Sequence, residues 1–382
     1  MQAEKAIDKT PAEKDSKFYT VALSDQNIED WNKVAKNSDE VWVFHDLELS
    51  AILAKRRNAE RKSFILYNNS NQPVAILPLY FYTDFWETYL LRNKRRLESY
   101  FTGPAIINGL NEKTRREILF FIGRELENIC EELNADKCIV YSCALSKRHL
   151  ETHFAYVNPL HEMRGGWANS TIAYLYLNLT PDEGELLKNM ETRTRSILNK
   201  IEKEQKIKVR LATPADLEAA RKLYIDAHKR THFPFYPEDF EWFFNNKNSY
   251  NYIAEINNEP ASVVNMMTHG NSGYYWSSYT ATAFVDSEVN TYLLWCAFKE
   301  MKKLGVLHLD LGDQPFAAPG SKTDNIARFK RGYGSELRYR FRMQYNRQGK
   351  SQKFFNALHK AIVPPLTNIR IKISAKLSGK KP

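Results

Sequence analysis

Long apolar runs and paired cysteine motifs are both missing from this sequence of 382 residues. No stretch approaches the roughly 18 consecutive apolar residues of a membrane-spanning helix, so none is predicted. The four cysteines, Cys130, Cys138, Cys143 and Cys296, show no CxxC spacing, which indicates buried, reduced thiols and a cytoplasmic protein. Residues 1–17 are polar and lack the apolar core of a secretion signal, so we expect a disordered leader.

Acidic residues are absent from Asn346 to the C-terminus, although the whole chain carries 45 of them against 55 lysines and arginines. The basic residues of this segment are Arg347, Lys350, Lys353, Lys360, Arg370, Lys372, Lys376, Lys380 and Lys381. Phe354, Phe355, Leu358 and Ile362 recur there at helical spacing. Such a segment suits an anionic membrane surface or a nucleic acid, and it can equally dock on the protein with its charges in water.

The length of the chain favours two domains, and two segments resemble each other in pattern. Residues 63–80 and 251–268 each contain an apolar run, an Asn-rich turn and a second apolar run, which predicts a β-hairpin. Each hairpin precedes a long amphipathic helix and a short strand. The predicted helices span 112–133 and 291–304, and the predicted strands span 137–142 and 306–311. The pattern indicates an internal duplication of a mixed α/β unit.

The boundary between the two units is predicted around residues 158–170, where the sequence has no period and carries Gly165 and Gly166. The predicted organisation is a leader over 1–17, a first domain over 18–165, a second domain over 166–345 and a basic extension over 346–382.

Two helix starts are marked by Thr180-Pro181 and Thr213-Pro214, since Thr suits the N-cap and Pro the first helical position. The first helix is predicted to continue to about Lys203. Arg193 and Lys200 lie seven residues apart on one flank of its apolar face, about 10 Å from each other. This pair could bind an anionic substrate at a cleft, and a solvated basic edge is the alternative.

The segment from His228 is rich in aromatic residues. His228 and His232 have a spacing used by metal sites on helices, but no Glu follows the first His and Pro234 ends the helix, so no metal site is predicted. The aromatic residues that follow are expected to be mainly core, and they can also form a wall of a substrate pocket. We predict that His232, Phe233 and Tyr279 contact the substrate.

Residues 306–341 contain the sequence pattern that most strongly indicates a catalytic site. Alternating leucines predict a strand with Asp310 at its carboxyl end, followed by a Pro- and Gly-rich loop and a short helix that ends at Phe329-Lys330. Ligands of open α/β sheets bind at the carboxyl ends of strands, so Asp310 is a candidate catalytic residue.

The order "Asp-Leu-Gly, loop, Phe-Lys-x-x-Tyr-Gly, strand" resembles the C-terminal half of the Fem-like and BioF2-like acyltransferases, a branch of the GNAT superfamily. RTRSILNK (193–200), the aromatic segment near His232 and NTYLLWCAFKEMKKLG (290–305) resemble further family segments in the same order. VAILPLY (74–80) and ESYFTGPAI (98–106) resemble the first half of the family. The resemblance covers roughly residues 21–345.

The resemblance implies two tandem GNAT-like domains and the attack of an amine on an activated ester or thioester. The acceptor would be a cell-envelope precursor, peptidoglycan or polysaccharide, and the donor an acyl-CoA or an aminoacyl-tRNA, with no bound cofactor. Lys330 would contact the donor or the developing negative charge, and Arg193 the phosphate or carboxylate of the acceptor. Phe329 and Lys200 are included among the predicted substrate contacts.

One departure concerns the donor. Ordinary GNAT enzymes hold the pyrophosphate of the donor on a glycine-rich loop, and the corresponding segment, residues 286–295, has no glycine. This weakens acetyl-CoA as the donor. No long charged helical arm, which some bridge-building members carry, is present, so no extra tRNA-binding device favours aminoacyl-tRNA. The alternatives are a GNAT-like binding protein that has lost the chemistry and an acyl-CoA-dependent N-acetyltransferase acting on a small amine.

Overall fold

The computed structural model describes residues 17–84, 94–151, 158–231, 237–314 and 318–347. The predicted leader and the basic extension lie almost wholly outside these ranges. Within them the protein is a mixed α/β structure with three sheets and two main hydrophobic cores, as the sequence predicts.

In the ranges that the structure describes, the first half of the chain supplies eight strands and four helices. The strands are β1 (Phe18–Ala22), β2 (Glu60–Arg61), β3 (Phe64–Asn68), β4 (Pro73–Leu77), β5 (Tyr80–Asp84), β6 (Lys94–Glu98), β7 (Ala105–Ile106) and β8 (Lys137–Tyr141). The helices are α1 (Ile28–Lys36), α2 (Leu47–Arg56), α3 (Glu112–Glu132) and α4 (Lys147–Glu151).

The second half supplies nine strands and six helices in its described part. The strands are β9 (Trp167–Asn169), β10 (Ile172–Asn178), β11 (Ile207–Leu211), β12 (Ser249–Ile256), β13 (Glu259–His269), β14 (Ser272–Thr280), β15 (His308–Asp313), β16 (Glu336–Arg340) and β17 (Arg342–Asn346). The helices are α5 (Glu183–Asn189), α6 (Thr192–Glu204), α7 (Leu217–Thr231), α8 (Pro237–Asn245), α9 (Val289–Lys303) and α10 (Lys322–Arg331).

Both predicted hairpins are confirmed. β3 and β4 pair in antiparallel fashion around an Asn-rich turn in which Asn71 has a φ of 56°, and β12 pairs with β13 around Asn257 and Asn258, which also have positive φ. Asparagine tolerates this left-handed conformation better than most residues, which explains its use at both turns.

The helix after the first hairpin is α3. Its side chain spacing buries every fourth residue (Ile118, Ile122, Leu126, Cys130) against the sheet, and the Asn111 side chain caps its first turn. The corresponding helix of the second half, α9, is buried on most of its surface against β12, β13 and β14. Three of the four cysteines are buried and all four are free thiols.

The first half forms two sheets, with strand orders β1-β3-β4-β7 and β2-β5-β6-β8-β17-β9, and the second half forms one sheet with the order β11-β12-β13-β14-β15-β10-β16. β17 therefore lies between β8 and β9, in the sheet of the first half. The predicted second domain, 166–345, includes β9 and most of β17, so both of its ends pair within the sheet of the first half. The predicted domain division stays a prediction.

The single helix predicted from about Thr180 to Lys203 is wrong. The chain forms two helices, α5 and α6, because Met190 is extended, with a ψ of 155°. The first begins at Glu183 with the side chain of Asp182 as its cap, whereas Thr213 caps a helical turn as predicted. The break turns α6 so that Thr194 and Leu198 face the core.

Candidate functional site

The seven-stranded sheet opens between β14 and β15. These strands pair in parallel only over Ser272–Tyr274 with His308–Asp310, and each then continues without pairing to the other. We call the space between residues 275–280 and residues 311–313 the strand opening. Unpaired strand ends expose backbone donors and acceptors to a ligand, so the opening is the part of this sheet best suited to hold a substrate.

A bulge in β14 lies at the start of the strand opening. Asn265 of β13 pairs with Ser277 and Met266 with Tyr275, which leaves Trp276 as the extra residue. A bulge bends the strand that carries it and is often found next to an active site. The bulge at Trp276 is therefore the local feature that turns β14 away from β15.

Lys330 extends from α10 into the strand opening. Its Nζ donates a hydrogen bond to the carbonyl oxygen of Leu311 on β15, and it lies 5.0 Å from the ring centroid of Tyr275 on β14. Burial lowers the pKa of Lys330, and the nearby carboxylates Asp310 and Asp313 oppose this shift. An ammonium group thus lies between the two strands.

The Phe-Lys-x-x-Tyr-Gly motif explains how Lys330 is held in place. Phe329 packs edge-on against Tyr333, whose hydroxyl donates to the carbonyl of Thr291 on α9. Gly334 has a φ of 79°, and a Cβ there would come within 2.7 Å of the Asn189 carbonyl oxygen. Only glycine allows this contact between the end of α10 and α5. Phe329 is partly buried against the core and holds the helix end that carries Lys330, and its predicted contact with the substrate stays a prediction.

Asp310 lies on β15, but it is fully enclosed. Its Oδ2 accepts from Nη2 of Arg340 at 2.6 Å and its Oδ1 accepts from the backbone N–H of Gly312 at 2.7 Å, and both charged side chains are 0% exposed. Burial raises the pKa of Asp310, and the guanidinium of Arg340 opposes this. A direct catalytic role, predicted from its place at the strand end, does not fit this enclosure, because both carboxylate oxygens already have partners.

Arg340 and Asp313 are the charged residues that sequence reasoning missed. Nε of Arg340 donates to Asp313 at 2.9 Å, and Asp313 keeps 30% of its side chain exposed at the end of β15. The guanidinium also lies 5.1 Å from the Phe101 ring and 4.9 Å from the Tyr174 ring. In the sequence Arg340 is one of several arginines in an alternating strand, and nothing in that pattern marks it as buried.

Arg193 and Lys200 are both on the solvent side of α6. Their side chains are 85% and 75% exposed, and their acidic neighbours, Glu288 and Glu204, are 3.9 Å away in each case. Arg193 lies near the start of α9, whereas Lys200 lies two turns further along α6. The structure therefore places only Arg193 near the segment that corresponds to the donor loop of ordinary GNAT enzymes.

The remaining predicted contacts divide into two groups. Tyr279 packs between the sheet and α7, with ring centroids 4.7 Å from Tyr224 and 5.6 Å from His228, and burial raises its pKa. This packing identifies Tyr279 as a half-buried core residue on the β14 side of the strand opening. His232 and Phe233 lie outside the described residues.

An aromatic cluster joins the two halves beside the strand opening. Phe44 of the first half lies 5.3 Å from Tyr274 and 6.3 Å from Trp276, measured between ring centroids. The guanidinium of Arg56, at the end of α2, lies 5.9 Å from the Trp276 ring. The bulged residue of β14 is thus covered by an aromatic ring and a cation from the first half.

The loop after β6 packs against a second guanidinium group of the first half, that of Arg57. Tyr100 and Phe101 have φ values of 38° and 55°, which is unusual for bulky residues and marks a constrained backbone. The guanidinium of Arg57 lies 4.1 Å from the Tyr100 ring and 3.3 Å from the buried carboxylate of Glu98. The segment "ESYFTGPAI" therefore forms a fixed wall that faces the second half.

Comparison with known proteins finds a domain match in the second half of the chain. Residues 188–331 match the family described as acetyltransferase (GNAT) domain, a range that includes β14, β15 and all of α10. No curated protein matches the chain.

Three solved structures have a similar fold. FemX is 11% identical with a TM-score of 0.60 and covers 90% of this chain and 99% of its own. The C-terminal domain of a predicted lysylphosphatidylglycerol synthetase from Agrobacterium fabrum is 10% identical, with a TM-score of 0.51 and coverage of 88% and 97%. A conserved protein of unknown function from Bacteroides thetaiotaomicron is 8% identical, with a TM-score of 0.52 and coverage of 86% and 99%. At these identities the likeness concerns the fold.

The domain match covers the part of the sequence that contains the opened parallel strand pair. Residues 188–331 are thus similar to a GNAT acetyltransferase domain, and the fold of the chain is similar to that of FemX.

Proposed function

We propose that this protein is an N-acyltransferase that transfers an acyl or aminoacyl group to an amine of a cell-envelope precursor. The observation that carries the proposal is the Lys330 ammonium group between β14 and β15, inside the GNAT-type domain. An ammonium group at this position can stabilise the negative oxygen that forms when an amine attacks an activated carbonyl.

The reaction needs few groups from the protein. The lone pair of the acceptor amine forms a bond to the carbonyl carbon of the donor, the oxyanion collapses, and the thiolate or alkoxide leaves. Lys330 has three N–H donors and, among the described residues, one hydrogen-bond acceptor, the Leu311 carbonyl. Its other donors are available to the oxyanion or to the leaving group.

The attacking amine must also lose a proton. Asp313 is the carboxylate that we propose as the acceptor of this proton, because it lies at the end of β15 and is partly exposed. Arg340 fixes one of its oxygens through Nε at 2.9 Å, and among the described residues the other oxygen has no hydrogen-bond donor. Asp310 supports the same arrangement from the buried side of Arg340.

The acceptor is proposed to approach across the face where the two halves meet. Arg56 and Arg57 place two guanidinium groups beside Trp276 and Tyr100 on that face, which suits an acceptor that carries phosphate or carboxylate groups. The Agrobacterium fabrum relative has a name that refers to an aminoacylated anionic lipid, and this is consistent with an anionic envelope molecule.

Two donors remain candidates, acyl-CoA and aminoacyl-tRNA. The segment before α9 has no glycine and forms a short 3-10 helix over Thr282–Ser287, followed by Glu288 with a φ of 57°. A segment without glycine is less suited to the close backbone approach to a pyrophosphate that acyl-CoA binding to GNAT enzymes uses, which weakens acyl-CoA as the donor. Arg193, 3.9 Å from Glu288, is the cation nearest to this segment on α6.

The test of the proposed function is mass spectrometry of envelope precursors from cells with and without the gene. We expect a mass difference equal to one acyl or aminoacyl group on an amine-bearing precursor. Complementation with the Lys330→Ala variant should leave the precursor unmodified, whereas Lys322→Ala, on the exposed start of the same helix, should restore it. Unchanged precursors in all strains would contradict the proposal and favour a binding protein.

Removing the charge of Arg193 is expected to weaken substrate binding and to change the rate of the chemical step little. An exposed cation contributes up to about 1 kcal/mol, so Arg193→Ala should raise one KM about three- to fivefold and leave kcat nearly unchanged. Lys200→Ala should give a smaller effect in the same direction, because its side chain lies further from α9. Lys203→Ala, on the same helix, is the charge-matched control. The KM that rises identifies donor or acceptor, and a change in kcat alone would contradict the anion-binding role.

The basic extension is proposed to contact an anionic membrane, which would suit a lipid-linked acceptor and a protein at the inner face of a membrane. From residue 348 the extension lies outside the described residues, and no helix in the described ranges is both long and apolar enough to cross a membrane. The full chain should co-sediment with anionic liposomes at low salt and less so as salt rises, since each basic residue adds about 1 kcal/mol at most. Absence of binding at low salt would leave the docked tail as the explanation.

A further inference from the structure

Two asparagines lie side by side in the interior of the seven-stranded sheet. Asn251 of β12 and Asn265 of β13 are directly opposite each other in the register of these strands, and they are 5% and 0% exposed. Their neighbours on the same face, Ile253 and Val263, are buried apolar residues. Asparagine is uncommon in strands, and burial of its amide is unfavourable unless its polar atoms are hydrogen-bonded. The asparagine pair, as we call these two residues, therefore needs a reason beyond packing.

A chain of hydrogen bonds runs through the asparagine pair. Nδ2 of Asn251 donates to the carbonyl oxygen of Phe243 on α8 at 2.8 Å. Nδ2 of Asn265 donates to Oδ1 of Asn251, and Oδ1 of Asn265 accepts from the hydroxyl of Ser277 on β14 at 3.0 Å. Because a carbonyl oxygen can only accept, it fixes the orientation of the first amide, which in turn fixes the second. The chain of hydrogen bonds thus connects α8 to β14 across two strands.

This chain of hydrogen bonds ends at the bulge of β14. The pairing between β13 and β14 shifts directly after Asn265 and Ser277, and the shift leaves Trp276 as the extra residue. Successive residues of a regular strand face opposite sides of the sheet, but Trp276 and Ser277 face the same side. The Trp276 ring lies 5.0 Å from the Phe243 ring, and Ser277 reaches Asn265 on that face. Asn265 therefore binds a side chain that only the bulge brings to this face of the sheet.

The residue before the bulge faces the strand opening. The Tyr275 ring lies 5.0 Å from Nζ of Lys330, and the Tyr275 hydroxyl forms a 2.8 Å hydrogen bond with Oγ of Ser278 on the other side of the bulge. A change in the bulge would move this ring relative to Lys330, because residues 276 and 277 connect Tyr275 to Ser278. Asn265 itself is fully buried and cannot contact a substrate. Any effect of Asn265 on the reaction has to act through β14.

We propose that the members of the asparagine pair are positioning residues for the acyl-transfer centre. By holding Ser277, Asn265 keeps the extra residue in β14, and the bulge keeps this strand apart from β15 at the strand opening. Asn251 holds Asn265 in the orientation that Ser277 requires. The role in the reaction rests on the proposed function, whereas the role in holding the bulge does not.

The role in the bulge is tested on the full chain labelled with 15N at the indole nitrogens, with the Trp276→Phe variant to assign the Trp276 resonance. Asn265→Val removes the amide and leaves an apolar residue that favours a regular strand. We expect the Trp276 resonance to shift or broaden in this variant, because its ring no longer stays against Phe243. The resonances of Trp167, in the sheet of the first half, and Trp295, on α9, should keep their positions.

Ser262→Ala is the matched control. Ser262 lies on β13, is 0% exposed, and donates to the Tyr279 carbonyl of β14 at 3.1 Å, away from the bulge. This variant also loses a buried hydrogen bond between β13 and β14, so a general loss of sheet stability would appear in both variants. Only the Asn265→Val variant should shift the Trp276 resonance.

The kinetic test separates positioning from substrate binding and from stability. Asn265→Val should lower kcat by about ten- to a hundredfold, since a misplacement of about 1 Å can cost that much, and should leave each KM within about threefold. Adding Asn251→Leu replaces both amides of the pair by apolar groups, so the midpoint of denaturant unfolding should return toward the wild-type value. The kcat of this double variant should stay low and its Trp276 resonance should stay shifted. Ser262→Ala should keep the wild-type kcat.

Three results would overturn the proposal. An unshifted Trp276 resonance in a folded Asn265→Val variant would remove the pair from the bulge. A shifted resonance with wild-type kcat would remove the pair from the reaction and leave the proposed function intact. A shifted Trp276 resonance in Ser262→Ala, or recovery of kcat together with stability in the double variant, would reduce the effect to sheet stability. If the wild-type protein transfers no acyl group, the proposed function fails, and the Trp276 resonance still decides whether the pair holds the bulge.

Discussion

Lys330→Ala is expected to lower the turnover number by about a hundredfold or more while the fold survives. The loss is of the size seen when one donor that stabilises a transition-state oxyanion is removed. The fold should survive because the Lys330 side chain makes its contacts at the strand opening, to the Leu311 carbonyl and the Tyr275 ring, whereas α10 is anchored by Phe329 and Tyr333. Single-turnover kinetics with a defined donor would measure the effect on the chemical step.

Two further variants separate charge from packing. Lys330→Met keeps most of the side chain volume against Tyr275 and removes the ammonium group, so it should lose as much activity as the alanine variant. Lys322→Ala removes an exposed charge near the start of the same helix and should be nearly neutral. Wild-type turnover in a folded Lys330→Met variant would remove the ammonium group from the mechanism.

The second large effect is expected at the buried pair of Asp310 and Arg340. Both side chains are 0% exposed and their charged atoms are 2.6 Å apart. Removing one partner of such a pair leaves an uncompensated charge and typically costs about 3–5 kcal/mol. Arg340→Met should therefore lower the free energy of unfolding by about this amount, as measured by denaturant titration with a two-state check.

The double variant distinguishes a structural from a catalytic role for Asp310. If the pair acts as a unit, Asp310→Asn combined with Arg340→Met should cost less than the sum of the two single changes. If Asp310 were the catalytic base, Asp310→Asn would abolish turnover with little change in stability. We expect the first outcome, and we expect Asp313→Asn to lower kcat with a smaller effect on unfolding, since Asp313 is partly exposed.

The elements that the sequence predicts correctly are those set by local patterns. The two hairpins follow from alternating apolar runs around Asn-rich turns, and α3 and α9 follow from helical spacing of apolar residues. The strand at 308–313 follows from alternating leucines. The Phe-Lys-x-x-Tyr-Gly motif identifies Lys330, and its tyrosine and glycines hold the end of α10 so that this side chain reaches the strand opening.

The errors concern properties that depend on distant contacts. The position of Asp310 at a strand end suggests exposure to a ligand, but its burial is decided by Arg340, thirty residues later and on a different strand. Tyr279 and Phe329 each pack on one side against a hydrophobic cluster, which their sequence does not indicate, and their contact with the substrate stays a prediction. The predicted helix is interrupted at Met190, whose backbone is extended. No proline or glycine stands at this position, so the sequence does not indicate the interruption.

The two places where the chain passes between the sheets adjoin each other. β9 and β10 are separated by Ser170 and Thr171, and β16 and β17 by Phe341 alone, and the Ser170 N–H donates to the Arg342 carbonyl at 2.9 Å. Nε of Arg342 returns a hydrogen bond to the Ser170 carbonyl at 2.9 Å. The two covalent connections between the halves thus lie side by side, and hydrogen bonds hold them to each other. Any motion that widens the face between them for an incoming acceptor has to pivot about residues 170 and 342, and the far edges of the two halves move the most.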